Sequence, residues 1–326
     1  MWSAAARRAF RVRPSPSLHC GGRQREVRAS GILAFILLGM VAGGPRPADS
    51  APITFNTALP VAEGEFVARE QLILNRSGDD PSGLERDRSA RTWVTVLGYG
   101  LNGALAVFGV LPYHDTDLKI TAGGQRRTRS ASGFGDLTLF GRFTWLHDNG
   151  HGHNFRVAPF LGVKAPTGED DREDAFGRLP PSVQPGSGSW DPLAGIVTTW
   201  QTLDYQVDGQ ISYQMKTKAN GFEAGDVARL DASLQYRLIP WDLGSGVPRF
   251  LYGVIEAGLV HQQKNRRDDV TDPDSGGARL FLTPGLQYVS KRWIVEAAVQ
   301  IPLIQNLNGA ALENDYVGRL SLRVNF

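Results

Sequence analysis

Residues 316–326 read YVGRLSLRVNF, and the period of this stretch decides the fold. Tyr316, Gly318, Leu320, Leu322, Val324 and Phe326 fall on one side of a two-residue repeat, and Val317, Arg319, Ser321, Arg323 and Asn325 on the other. Side chains two apart share a face in a strand. Further back, Tyr205, Val207, Gly209, Ile211, Tyr213 and Met215 alternate with Asp204, Gln206, Asp208, Gln210, Ser212, Gln214 and Lys216. Leu230, Ala232, Leu234, Tyr236 and Leu238 alternate with Arg229, Asp231, Ser233, Gln235 and Arg237. A helix would put Arg229, Leu230 and Ser233 on one stripe, which separates nothing apolar from anything polar.

The pattern recurs from about residue 65. It predicts strands at 65–76, 91–101, 103–113, 134–147, 153–165, 190–200, 204–216, 226–238, 250–263, 278–289, 292–303 and 314–326. Arg69 and Glu70 blur the first. Long connections (77–90, 114–133, 166–189, 217–225, 264–277, 304–313) alternate with mostly short ones (102, 148–152, 201–203, 239–249, 290–291). Segments of about 9–11 residues cross a bilayer when tilted, a closed antiparallel barrel pairs every backbone group, and long loops on one side with short turns on the other are the outer-membrane arrangement. The expected fold is all-β, a transmembrane up-and-down barrel of about twelve strands over residues 65–326. An even strand number puts both barrel ends on the short-turn, periplasmic side. A soluble sandwich or lipocalin-like barrel would share the alternation with its apolar face inward. Aromatics near the ends of the apolar faces, Trp93, Tyr99, Trp145, Tyr205, Tyr252, Trp293 and Tyr316, favour the membrane wall.

Composition agrees. Glycine supplies 38 of 326 residues, about 12% against a usual share of about 7%. The apolar run GILAFILLGMVAG at 31–43 has the length of a signal-peptide core and is short for a helical span. Ala48 and Ser50 put small residues before a cut, so residues 1–50 read as a leader cleaved near Ser50/Ala51, and 51–64 as a short N-terminal periplasmic segment. The leader holds eight Arg and two acids. Taking these from 35 bases and 33 acids leaves 27 and 31, so the mature chain is acidic and nothing in its charge suggests a nucleic-acid partner. Cys20 is the single cysteine and leaves with the leader.

Candidate chemistry lies on the polar faces. Turned inward they bring Arg142, Arg156, Lys164, Arg229, Arg237, Arg279, Arg319 and Arg323 together with Asp208, Asp231, Glu256 and Glu296. A charge facing lipid near the midplane costs about 2–4 kcal/mol, so such rows belong in a lumen. Glu256 and Glu296 are expected to pair with the arginines of adjacent strands, narrow the bore and leave a positive interior. His147, His151 and His153 fall on a turn whose Asp148-Asn149-Gly150 is ordinary turn chemistry. The acids Glu169, Asp170, Asp171, Glu173 and Asp174 could bind cations that bridge to lipopolysaccharide phosphates, or form a solvated loop. His114 and His261 lie near strand tops, but no Gly-x-Ser-x-Gly elbow accompanies them.

Short motifs add a resemblance. VLPY (110–113), GFGDLTLFGRF (133–143), LGVKAPTGEDD (161–171), LTPGLQY (282–288) and VQIPL (299–303), in this order and spacing, resemble the meta-pathway phenol-degradation family of outer-membrane transporters. The resemblance covers roughly residues 65–326 and implies a barrel handling aromatic or other hydrophobic compounds; it supplies no catalytic residues. On the residues alone, Gly133 and Gly135 allow tight backbone geometry, Asp136 can cap backbone amides, and Pro166, Pro284 and Pro302 end or break ladders.

The function expected is an outer-membrane channel or transporter for small molecules in a Gram-negative-type bacterium, with no cofactor and no chemistry of its own. Its expected partners are outer-membrane lipid and lipopolysaccharide, the barrel-assembly machinery through Phe326, and a small-molecule substrate. The competing readings are a structural or surface-interaction barrel with a self-plugged lumen and, further off, an outer-membrane lipid hydrolase.

Overall fold

The structure is a computed structural model and describes residues 50–240 and 249–326. The leader and most of the 239–249 connection lie outside the described residues. Every regular element described is a strand. Twelve staves, each antiparallel to its neighbours, close into a ring. They are β1 (Phe66–Ser77), β2 (Asp87–Gly100), β3 (Leu105–Ala122), β4, β5 (His153–Ala165), β6 (Asp191–Thr202), β7 (Tyr205–Gln214), β8 (Val227–Ile239), β9 (Phe250–Gln262), β10 (Gly277–Val289), β11 (Trp293–Leu307) and β12 (Tyr316–Asn325). The fourth, β4, runs in three pieces, Gln125–Phe134, Leu137–Phe143 and Leu146–Gly150.

The alternation places side chains as a membrane wall requires. On β8, Leu230 is 56% exposed and Asp231 2%; on β9, Ile255 is 56% exposed and Glu256 1%. The apolar face therefore points out of the barrel and the polar face into it, the reverse of a soluble β protein. Tyr252 is an exception to the expected aromatic girdle. It stands on the inward face of β9, where it packs with Val254, Ile53 and Ala298.

The largest departure is at β3. The segment 114–133, expected as a loop, continues the ladder from Tyr113↔Phe134 to Ala122↔Gln125 and turns through Gly123 and Gly124, at φ +60° and +73°. Only glycine takes two such positions cheaply. The arginines of QRRTRS (125–130) conceal this strand, because they stand on both of its faces: Arg126 on the outer one, and Arg127 and Arg129 on the inner one, over the Phe176 ring and on Asp174. On that inner face Leu118 and Ala131 pack on Leu179 and Val183 of the loop after β5. The prolines mark ladder faults as expected. Opposite Pro302 the β10–β11 register shifts between Leu280 and Phe281, and at Thr283-Pro284 the pairs with β11 are missing.

The ring closes between β1 and β12, from Val67↔Asn325 to Arg76↔Tyr316. Phe66 N–H donates to the Phe326 carbonyl (2.7 Å), Phe326 N–H returns the bond (3.0 Å), and the two rings stack at 5.6 Å. Phe326→Asp puts a charge in this apolar seam. The folded, heat-modifiable fraction in the membrane is expected to fall several-fold, and an unchanged folded fraction would contradict this account of closure.

Candidate functional site

The segment before β1 fills the lumen. Of residues 51–64, which the sequence places in the periplasm, Ala51, Ile53, Ala58 and Leu59 instead enter the barrel together with Ser50 and are buried there, while Pro60, Glu63 and Gly64 stay exposed. The reason is hydrogen bonding: the segment meets the wall's backbone only at its end, where Glu63 bridges Gly100 of β2, and over residues 51–59 inward side chains satisfy the backbone instead. Glu256 accepts from Ile53 N–H (2.6 Å), Thr54 N–H (3.1 Å) and the Thr54 hydroxyl (2.5 Å). Thr199 Oγ1 accepts from Ala58 N–H (2.8 Å), and Gln287 donates to the Ala51 carbonyl (2.9 Å). Arg69 donates to the Ile53 carbonyl (2.8 Å), and Arg142 to those of Thr57 (2.6 Å) and Leu59 (2.5 Å). Ser50 Oγ bonds Gln206 (2.7 Å). These are bonds from wall side chains, so the segment can leave without breaking any ladder.

The charge pairing differs from the sequence expectation. Glu256 makes no ion pair among the described residues; its carboxylate holds the plug. Glu296 pairs with Arg69 of β1 (2.6 Å), from the strand whose alternation is blurred, and accepts from Gln287 (2.7 Å) and Ser321. Arg229 pairs with Asp231 on its own strand (2.8 Å), and Arg237 with Asp204. Arg319 is held by amide oxygens, Gln300 at 2.9 Å and Gln71 at 3.0 Å. Asp208 accepts from Gln206 (2.7 Å), Gln235 (3.1 Å) and Thr199. Arg156 reaches Asn149 (3.3 Å) near the short turns, and Arg279 reaches the Leu312 carbonyl (3.5 Å) near the long loops. Arg323 stands low on β12, beside a cavity described below.

Two features escape a reading by polarity. The interior is two-sided: Val96, Phe108, Val110, Phe140 and Phe160 line its β2–β5 side, whereas the inward faces of β6–β12 are mainly polar, with apolar exceptions such as Val197, Val254 and Ala298. Apolar residues on both faces of LAVFGVLPY (105–113) mask which of them point inward. Gly98 makes room here, since a Cβ would lie 2.5 Å from the Phe108 ring. The plug leans on the polar side and leaves a cavity of about 380 Å³ against the apolar one.

The second feature is at the long-loop mouth, where two motifs 30 residues apart interlock. Asp136 accepts from Gly168 N–H (3.0 Å), Ser187 N–H (3.0 Å) and Lys164 Nζ (2.8 Å), while Thr167 Oγ1 accepts from Leu137 N–H (2.8 Å). Burial alone would raise the Asp136 carboxyl; the bonds from Lys164, Ser187 and Gly168 outweigh it and hold the group below the ordinary carboxylate range. Lys164 and Lys216 also reach Asp191, at 2.9 and 3.1 Å. A second cavity, of about 430 Å³, opens above them. Three of the five acids offered for cation binding meet arginines here, Asp174 with Arg129 at 2.7 Å, Glu169 with Arg172 and Asp170 with Arg178 at 3.9 Å. His153 faces Asp148 at 3.8 Å, and no group of three or more metal-ligating side chains gathers among the described residues.

Among solved structures, the COG4313 outer membrane channel from Pseudomonas putida F1 matches with a TM-score of 0.64 at 13% identity, covering 88% of this chain and all of that one. The β domain of the Bordetella autotransporter BrkA matches at 0.44 and 12% identity, covering 81% and 100%. The first shows the fold, that of an outer-membrane barrel. No curated protein sequence matches the chain. A family model described as "Putative MetA-pathway of phenol degradation" matches residues 84–302, well over half of the 326. The chain therefore belongs to the MetA-pathway phenol-degradation family.

Proposed function

We propose that the protein is a passive outer-membrane channel for small molecules, held shut by its own N-terminal segment and performing no chemistry. One observation carries this reading. A cavity of about 380 Å³ opens beside the plug in the short-turn half and another of about 430 Å³ opens at the long-loop mouth, and the bore beside the first is obstructed by plug backbone held through wall side chains. Family membership and the likeness to an outer membrane channel support it. The relatives' link to phenol breakdown suggests small aromatic cargo.

In this reading the leader is removed near Ser50/Ala51, so the mature terminus lies inside the lumen. Phe326 serves the assembly machinery, the outward belt meets lipid, and the long loops face lipopolysaccharide. Arg142, Arg156, Lys164, Arg229, Arg237, Glu256, Arg279, Glu296, Arg319 and Arg323 line the passage. A self-plugged structural barrel is the second reading, because the same hydrogen bonds could keep the bore closed permanently.

Planar-bilayer recording separates the two. The wild type should show discrete openings with a reversal potential that favours anions, since a bore with excess fixed cations attracts them. Arg237→Gln, Arg279→Gln and Arg323→Gln together should move the reversal potential toward zero in a salt gradient. Absence of conductance at every voltage would favour the permanently closed barrel, and an unmoved reversal potential would remove these arginines from the passage.

A further inference from the structure

The cavity beside the plug has a chemical asymmetry that a merely unfilled space would lack. One wall is aromatic: the Phe108 and Phe140 rings stack at 4.8 Å with 12° between their planes, flanked by Val96 and Val110. At its edge stands Arg142, only 5% exposed. Its guanidinium carbon lies 4.8 Å over the Phe108 ring, and its partners are the plug carbonyls of Thr57 and Leu59. No carboxylate lies within ion-pair distance of it among the described residues, and a second arginine, Arg323, lines the same cavity. The other charged groups facing this space are Arg69, which Glu296 engages, and Glu65 at the rim.

A buried cation held only by neutral carbonyls is incompletely compensated. An anion beside it would make the charge-assisted, two-pronged contact for which guanidinium is suited. The aromatic wall beside it asks for a flat apolar body. Ligand pockets start at about 300 Å³, so the space of about 380 Å³ suits a one-ring molecule. We infer that this cavity is a binding site for single-ring aromatic carboxylates, with the carboxylate on Arg142 and Arg323 and the ring against Phe108 and Phe140. The site rests on the channel reading for its purpose, and it narrows the cargo from hydrophobic compounds at large to their acid anions. Because Arg142 holds the plug through the Thr57 and Leu59 carbonyls, an arriving carboxylate competes for the same donors and loosens the plug.

Full-length mature protein folded in detergent tests this by calorimetric titration with benzoate, benzyl alcohol and acetate. Benzoate should bind about tenfold or more tighter than benzyl alcohol, the difference one charge-assisted hydrogen bond brings, and about tenfold or more tighter than acetate, the difference burial of the ring brings. Arg142→Gln should erase the benzoate preference over benzyl alcohol. Phe140→Leu should weaken both ring ligands and leave acetate unchanged. If Arg142→Gln does not fold, Val96→Asp places an anion in the cavity and should abolish benzoate binding alone. Equal binding of benzoate and benzyl alcohol, no benzoate binding, or a preference that survives Arg142→Gln or Val96→Asp would overturn the site. Conductance is read separately: a wild type that conducts without binding benzoate keeps the channel and loses the site, and one that binds benzoate without conducting does the reverse.

Discussion

Removing residues 51–59 from the mature chain is expected to raise single-channel conductance several-fold in planar bilayers. Twelve strands enclose a bore between that of eight-stranded barrels, which side chains fill, and that of the open porins. Here the central obstruction is backbone from Ala51 to Leu59, held by Glu256, Arg142, Thr199, Gln287 and Arg69. Without it those side chains face a water-filled space, and water takes over the hydrogen bonds the segment made, so the wall survives. The deletion should lower the melting temperature while keeping heat-modifiable migration. Conductance equal to the wild type's in a folded deletion variant would mean that the inward side chains, and not the segment, set the resistance.

Glu256→Ala is the point substitution with the largest expected effect. It removes the acceptor for the Ile53 amide, the Thr54 amide and the Thr54 hydroxyl together. A hydrogen bond to a charged group contributes about 1.5–3 kcal/mol, so losing even one shifts the closed–open balance about tenfold or more. Open probability should rise accordingly, and the 51–59 segment should become sensitive to protease. Glu256→Gln keeps one acceptor oxygen and should fall between. Wild-type open probability in both variants would detach Glu256 from closure.

The wall of this barrel was legible because period two survives wherever one face meets lipid and the other meets charge, as on β8, β9 and β12. It faded where that contrast fails. The 125–134 strand stands beyond the membrane, so both its faces carry polar residues and it reads as loop. On β3 both faces are apolar, so the aromatic half of the lumen was invisible although Phe108 and Phe140 were in plain view. The charged rows were readable as a set, but their pairing was not. Polarity gives the face of Glu256 and Glu296; their partners come from segments with no period, the plug for Glu256 and the blurred β1 for Glu296. The plug itself has neither alternation nor turn signal, and its conformation is dictated by what surrounds it. The Gly-x-Gly-Asp and Pro-Thr-Gly motifs were each visible, yet only their meeting at Asp136 explains why both are there.

The two-glycine tip of the β3–β4 hairpin offers a practical use. Residues 50–59 lie in the bore, and Phe326 is locked into the seam with Phe66, so neither site will take an affinity tag without cost to closure. Gly123 and Gly124 stand at a hairpin tip with open space around them, tied to nothing but the ladder below. Loop tips of this kind tolerate inserted sequence. An epitope spliced between them would sit on the long-loop face; an antibody applied to intact cells would label it if that face looks outward, as proposed, while the bore and the seam stay as they are.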